Sequence, residues 1–335
     1  MDSCWHPDHL AARLPALRRR ARLTQAVRGF FDARGYTEVE TPYAVRAPGE
    51  EVHLAAWATE RVHVDGRREQ LWLHTSPEFA MKKLLAGGAG PIFQLARVWR
   101  NNEGSDRHAG EFTMLEWYRP GATLDSLMAE TEELLRAVLP PTVSLGGVTT
   151  DLAQPFERLR LADAFAAFGA DLLGTAGDAA ALAASAGERR REGEGWEDLF
   201  FRLLLGRVEP RLGQSRASFL THWPAEQAAL ARRDPADPRV AERFELFVCG
   251  LELANAFVEL TDAAEQRARF LQDRARRQAL YGGANPARDD WPLDEEFLQA
   301  VALLPPCAGI ALGFDRLAML AAGVPRIGEV LWLPT

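Results

Sequence analysis

Residues 93–100 read Phe93-Gln-Leu-Ala-Arg-Val-Trp-Arg100. After a polar run from Asn101 to Gly110 the chain continues Glu111-Phe-Thr-Met-Leu-Glu-Trp-Tyr118-Arg-Pro120. Both flanks alternate with period two, as strands do, and the polar run between them reads as a loop. The alternation puts Phe112, Met114, Glu116 and Tyr118 on one strand face. An aromatic ring, a carboxylate and a phenol in line make a slot: a flat base stacks at one end and an ammonium group is held at the other. Arg100 closes the first strand, beside a loop carrying Arg107 and His108, which suits an anionic phosphate. The same residues also fit an amphipathic hairpin with a solvated loop.

Outward from this hairpin, Ser76-Pro77 reads as a helix start, with serine at the N-cap and proline in the first turn. Residues 15–34 read as a helix with Pro15 in its first turn, Gly35 as its stop and Leu17, Leu23, Val27, Phe30 and Phe31 as its apolar side. Stretches 52–64 and 70–75 are β-like, and helices follow at about 124–138 and through 160–205. The Gly-, Ala-, Glu- and Arg-rich stretch 174–195 reads as a mobile surface insertion. Strands joined by hairpins imply one α/β domain with a largely antiparallel sheet.

Two further segments carry chemistry. In 242–260, Cys249-Gly250 fits a two-residue hairpin turn, which pairs Phe247 with Glu252 and Glu245 with Ala254. Glu245 and Glu252 then lie diagonally on one face, within reach of one Mg²⁺; pairing of these acids with Arg243 or another arginine is the alternative. Plain alternation puts Asn255, Phe257 and Glu259 on the other face, so all of them serve one pocket only if the strand bulges near 253–255. In 307–319, Gly309, Ala311 and Gly313 alternate along a strand, and a helix begins near Phe314. Glycines admit a ligand to the backbone, and a helix start attracts anions. Arg316 opposes the helix dipole there and so requires an anionic partner.

The 335 residues are 47% hydrophobic and 26% charged, an ordinary globular composition with length for a sizeable core. A net charge of −8 gives no support to grip on a nucleic-acid backbone. Arg18-Arg19-Arg20 reads as a solvated helix face or, alternatively, an RNA contact; Arg189-Arg190-Arg191 is flanked by Glu188 and Glu192. Cysteines at 4, 249 and 307 form neither a disulfide framework nor a metal-ligand spacing. With no apolar run of signal-peptide or membrane-span length, the chain reads as cytoplasmic, with no membrane partner.

Three segments of this kind, in this order, resemble the signature motifs of class II aminoacyl-tRNA synthetases. Glu38-Val-Glu-Thr-Pro42 resembles motif 1, Arg100 through Tyr118 motif 2, and Gly309 through Arg316 motif 3. Thr75-Ser-Pro-Glu78, Glu111 through Tyr118 and Asn255 through Asp262 are similar to the lysyl-tRNA synthetase group. Trp117 and Glu252-Leu-Ala-Asn255 look like its paralogues that attach β-lysine to a lysine of translation elongation factor P. The resemblance spans about residues 12–333. It implies one class II catalytic domain over 1–335, mostly antiparallel sheet flanked by helices, and a homodimer through motif 1. It implies that ATP and Mg²⁺ activate lysine or β-lysine as an adenylate for transfer to elongation factor P. Motif 1 starts soon after Gly35, so no anticodon-binding domain is expected before it, which argues against tRNA as acceptor. A truncated lysyl-tRNA synthetase-like enzyme or a free amino-acid ligase is the alternative.

Residue by residue, the resemblance assigns Arg100 and Arg316 to catalysis on the phosphates of ATP. Asn101, Asn102, Glu103, Ala109, Leu246 and Gly313 also surround the nucleotide. Phe112 would stack adenine, His108 would lie near the γ-phosphate, and Glu245 and Glu252 would hold Mg²⁺. Ser76, Pro77 and Glu78 would border the substrate. Glu116, Tyr118, Asn255 and Glu259 would read its amines, while Glu252, Phe257 and Ala311 would complete the pocket. The chain departs from the family at three places. Ala109-Gly110 stands where Asn-Pro is usual, Asn102 stands where an acid is common, and Ala256 replaces a glycine and is expected to narrow the pocket strand.

Overall fold

The computed structural model describes residues 4–228, 230–282 and 291–334; Met1–Ser3, read above for a leader, lie outside them. The chain divides into two compact units, Met1–Ala122 with Leu260–Thr335, and Thr123–Glu259.

In the first unit, four strands run in the order Thr37–Glu38, Ile92–Trp99, Glu111–Pro120, Cys307–Gly313. The edge pair is parallel and the other two pairs are antiparallel. The central hairpin is the expected one, with Gln94 opposite Glu116 and Val98 opposite Phe112. The β-like stretches become the antiparallel strands Trp57–Val62 and Arg68–Leu73 of a second, small sheet. The first helix runs Pro7–Asp32, so it starts well before the expected residue 15. Pro7 takes the first helical position, where a missing N–H costs nothing, and Pro15 lies inside the helix. Gly35, at φ 73°, is the left-handed stop, and the five apolar residues named above are buried.

Beneath the hairpin this helix corrects one expectation. Arg20 is 7% exposed: it forms an ion pair with Asp315, and its Nη2 donates to Thr113 Oγ1 at 2.9 Å. Asp315, in the first turn of helix Phe314–Ala322, also accepts from Thr113 N at 2.7 Å. Arg19 donates to the carbonyl of Ala321 at the far end of that helix. Two arginines of the supposed solvated cluster therefore fasten the third motif's helix.

In the second unit the strand order is Leu251–Val258, Val240–Val248, Ser218–Pro224, Glu157–Arg160; the last pair is parallel and the others antiparallel. Helices Leu161–Ala166, Ala179–Ser185 and Trp196–Leu203 pack on an apolar cluster containing Phe165, Leu182, Phe200 and Trp223. The stretch 174–195 contributes Ala179, Leu182, Ala183 and Ala186 to this cluster, so its alanines serve packing. Among the described residues, no helix is long and apolar enough to cross a membrane.

Candidate functional site

The first unit holds one cluster of the expected residues. Glu116 is fully buried on the central strand, opposite Gln94 on one side and Ala311 on the other. Ser76 Oγ donates to its Oε1 at 2.6 Å and Tyr118 OH to its Oε2 at 2.8 Å. Burial, and next the charge of Glu78, push its carboxyl up to about 8, against the pull of those two hydrogen bonds and of Lys82. Glu78 opens the helix Glu78–Ala86 and pairs with Lys82 one turn on; burial raises its pKa against the attraction of that lysine. The helix starts one residue later than expected. Pro77 is the N-cap, and Ser76 Oγ accepts from Glu78 N at 3.0 Å while donating to Glu116. A buried acid between two hydroxyls can receive a protonated amine by giving up its own proton.

Along the same face, Met114 and Ala311 pack with Phe112, and the Arg100 guanidinium lies 5.2 Å from the Phe112 ring centroid. Arg100 Nη1 is 3.9 Å from Glu103 Oε1, and its backbone N–H donates to Gly110 O, closing the loop. Both loop departures have a local reason. Asn102 is left-handed (φ 63°), a conformation asparagine tolerates, and Glu103 supplies the acid beside Arg100. A Cβ at Gly110 would stand 3.1 Å from Trp57, so a proline there would press on that ring. Asn101 N donates to Ala55 O, and Ala109 is half-buried at the loop's end. Arg316 Nη2 donates to His108 Nε2 at 2.6 Å, and His108 Nδ1 lies 2.7 Å from Ser105 Oγ. The stem of Arg316 covers Gly313, where an added Cβ would meet its Cδ at 3.3 Å. Arg100 and Arg316 thus supply cationic donors suited to phosphate, and His108, accepting from Arg316 through Nε2, holds the second of them.

The second unit holds the other cluster. Cys249 and Gly250 are both left-handed (φ 53° and 66°), the two-residue turn expected, with Val248 opposite Leu251 and Phe247 opposite Glu252. The register then shifts, and Glu245 pairs with Asn255 instead of Ala254. The bulge changes the strand's phase: Glu252, Asn255 and Phe257 are all half-exposed, and Leu253, Ala254 and Ala256 are buried. Glu245, Glu252, Asn255 and Phe257 therefore share one face, the condition left open by the sequence. Ala256 faces the core opposite Phe244, so it does not narrow that face. Leu246 is fully buried in an interior strand, between Phe219 and Ala254. Glu259 is buried at the strand's end, bridged to Ala231, and Phe257 packs on Ala228, Ala231 and Ala241.

Glu245 is pushed up to about 8, first by burial and then by the neighbouring charge of Glu252; Glu209 adds to this, while Arg243 opposes it. Among the described residues no group of three or more His, Cys, Asp or Glu side chains is placed to hold a metal ion; Glu245 and Glu252 are two carboxylates whose charges repel. Arg243 Nη2 also donates to Glu245 Oε1 at 2.7 Å. Glu209, Lys82 and Asp315 were given no role from the sequence, and Arg20 only that of a basic helix face. Only Lys82 carried a signal, its spacing of four from Glu78 on a helix.

A family model described as tRNA synthetases class II (D, K and N) matches residues 12–335. The chain is 43% identical to a protein of Klebsiella pneumoniae subsp. pneumoniae over 98% of its own length and 96% of the relative's. It is 40% identical to a Proteus mirabilis protein over 98% and 97%, and 40% identical to one from Haemophilus influenzae over 98% and 96%. Each relative carries the name elongation factor P–(R)-β-lysine ligase.

Proposed function

The chain belongs to the class II tRNA synthetases of the D, K and N group, and from that premise we propose that it activates lysine or β-lysine with ATP and joins it to a lysine side chain of elongation factor P. The observation that carries this reading is the buried Glu116, held by Ser76 and Tyr118 as an acid poised for a substrate ammonium. The names of relatives similar over 98% of the chain support the acceptor.

In this reading a carboxylate oxygen of the amino acid attacks the α-phosphorus of ATP in line. The bond to the bridging oxygen breaks, pyrophosphate leaves, and the aminoacyl adenylate remains. No side chain needs to form a covalent bond; Arg100, His108 and Arg316 position the phosphates, and the two arginines neutralise their charge. Phe112 is assigned to the adenine. A Mg²⁺ held by Glu245 and Glu252 would supply further neutralisation of phosphate charge. Glu116, Tyr118, Glu78, Asn255 and Glu259 are assigned to orienting the substrate. In the second half, the unprotonated amine of the acceptor lysine attacks the adenylate carbonyl. An N–C bond forms, AMP leaves, and the amine loses a proton.

We further propose a homodimer through the segment around Pro42, which joins the short edge strand Thr37–Glu38 to an exposed Tyr43. A cytoplasmic location is proposed on the unbridged thiols of Cys4 and Cys249. Intact-mass measurement of elongation factor P, incubated with enzyme, ATP and each lysine isomer, tests the function. One added lysyl or β-lysyl group, dependent on ATP, is expected. An unchanged factor together with a base-labile product on tRNA would overturn the reading in favour of a tRNA synthetase.

A further inference from the structure

Arg243 stands on strand Val240–Val248 opposite Phe257, with only 13% of its side chain exposed. Its guanidinium lies 4.1 Å from the ring centroid of Trp223. From that plane it donates in three directions: Nε to Asn255 Oδ1 at 3.1 Å, Nη1 to the Gln227 carbonyl at 2.8 Å, and Nη2 to Glu245 Oε1 at 2.7 Å. Trp223 is aimed beneath it by a register shift between Thr221 and Trp223, where His222 takes a left-handed conformation (φ 58°). A non-glycine residue held there marks an arrangement that its surroundings enforce.

We propose that Arg243 is a positioning residue for the aminoacyl transfer chemistry, locking Asn255 and Glu245 into one joint orientation. The inference rests on the reading above, in which Asn255 meets the amino acid and Glu245 the metal. Arginine Nε only donates, so Asn255 must turn Oδ1 toward it and present Nδ2 outward. On Glu245, Arg243 engages Oε1 and leaves Oε2 for a cation. A lysine keeps the charge but cannot reach three acceptors from one flat, stacked fork.

The test compares wild type, Arg243→Lys, Asn255→Ala and the double variant, all checked for folding by circular dichroism. Lysine affinity is read by calorimetry without nucleotide or metal, and KM for lysine and for ATP by pyrophosphate exchange. Arg243→Lys is expected to weaken lysine binding about tenfold, the scale of one lost charge-assisted hydrogen bond. It should also raise the Mg²⁺ half-saturation of the exchange reaction, because Glu245 loses the same lock. Asn255→Ala should weaken lysine binding similarly, and the double variant no further, because both act through one contact. Unchanged lysine affinity in Arg243→Lys, or effects that multiply in the double variant, would overturn the proposal. If Arg243→Lys does not fold, water exchange of the Arg243 Nε–H decides instead. Slow exchange in wild type that is lost in Asn255→Ala supports the lock, and equal exchange in both refutes it. Absence of lysine-dependent exchange in wild type would remove the functional reading alone, since the Nε–H measurement still tests the lock.

Discussion

Glu116 is stored in an environment that favours its protonated form. Its folded pKa, about 8, lies well above the 4.5 of an ordinary glutamate. Between these values the folded protein holds a proton that the unfolded chain has released. The group's contribution to stability is therefore most favourable below about pH 4.5 and is lost as pH rises toward 8. Glu116→Gln removes this dependence. The variant should match wild type in melting temperature near pH 5 and exceed it by roughly 2–5 °C near pH 8. A constant difference across that range, measured by thermal unfolding, would show that the carboxyl is not held protonated. A substrate ammonium reverses the balance by favouring the carboxylate, so substrate binding near neutral pH should release a proton. The same burial that weakens the apo protein prepares the site for a cation.

At the scale of elements, the helix Phe314–Ala322 follows directly from strand Cys307–Gly313 and carries Arg316 in its first turn. Asp315 points away into the core, 1% exposed, and is held from two directions by Thr113 of the neighbouring strand and Arg20 of the first helix. That latch sets the rotation of the helix start and hence where the Arg316 side chain emerges. Arg20→Met leaves a buried carboxylate with only the Thr113 N–H to satisfy it and should cost about 3 kcal/mol in urea unfolding. Arg20→Met with Asp315→Asn removes both charges and should recover most of the loss. A single variant as stable as wild type would mean that the ion pair contributes nothing to the helix.

For the molecule as a whole, the charge of −8 sets the long-range field. Such a net charge gives no long-range attraction for a polyanion. Dimerisation is the other molecular expectation. Sedimentation at micromolar concentration should give a dimer of the 335-residue chain, and Pro42→Ala with Tyr43→Ser should shift it toward monomer. A monomeric wild type would set aside the assignment of the Glu38–Pro42 segment.

Local pattern alone determined the hairpin carrying Phe112, Glu116 and Tyr118, the Cys249-Gly250 turn, and the strand-to-helix passage at Gly313. Each follows from side-chain alternation or from a backbone conformation that few residues adopt, and both are properties of neighbours in the chain. The same information left two things open. One was the bulge after Glu252, which brings Asn255 and Phe257 onto the face of Glu245; a one-residue register shift costs little locally and is chosen by what each face must pack against. The other was the fate of the arginines. Arg20 and Arg243 read as ordinary charges, one on a solvated helix face and the other as one of two partners for a pair of acids. Their burial beside Asp315, and beside Trp223, Glu245 and Asn255, joins residues 295 apart in one case and 20, 2 and 12 apart in the other. Only tertiary structure decides such pairings, because a long polar side chain goes wherever a buried acid or amide needs a donor, and no periodicity in the chain records that need.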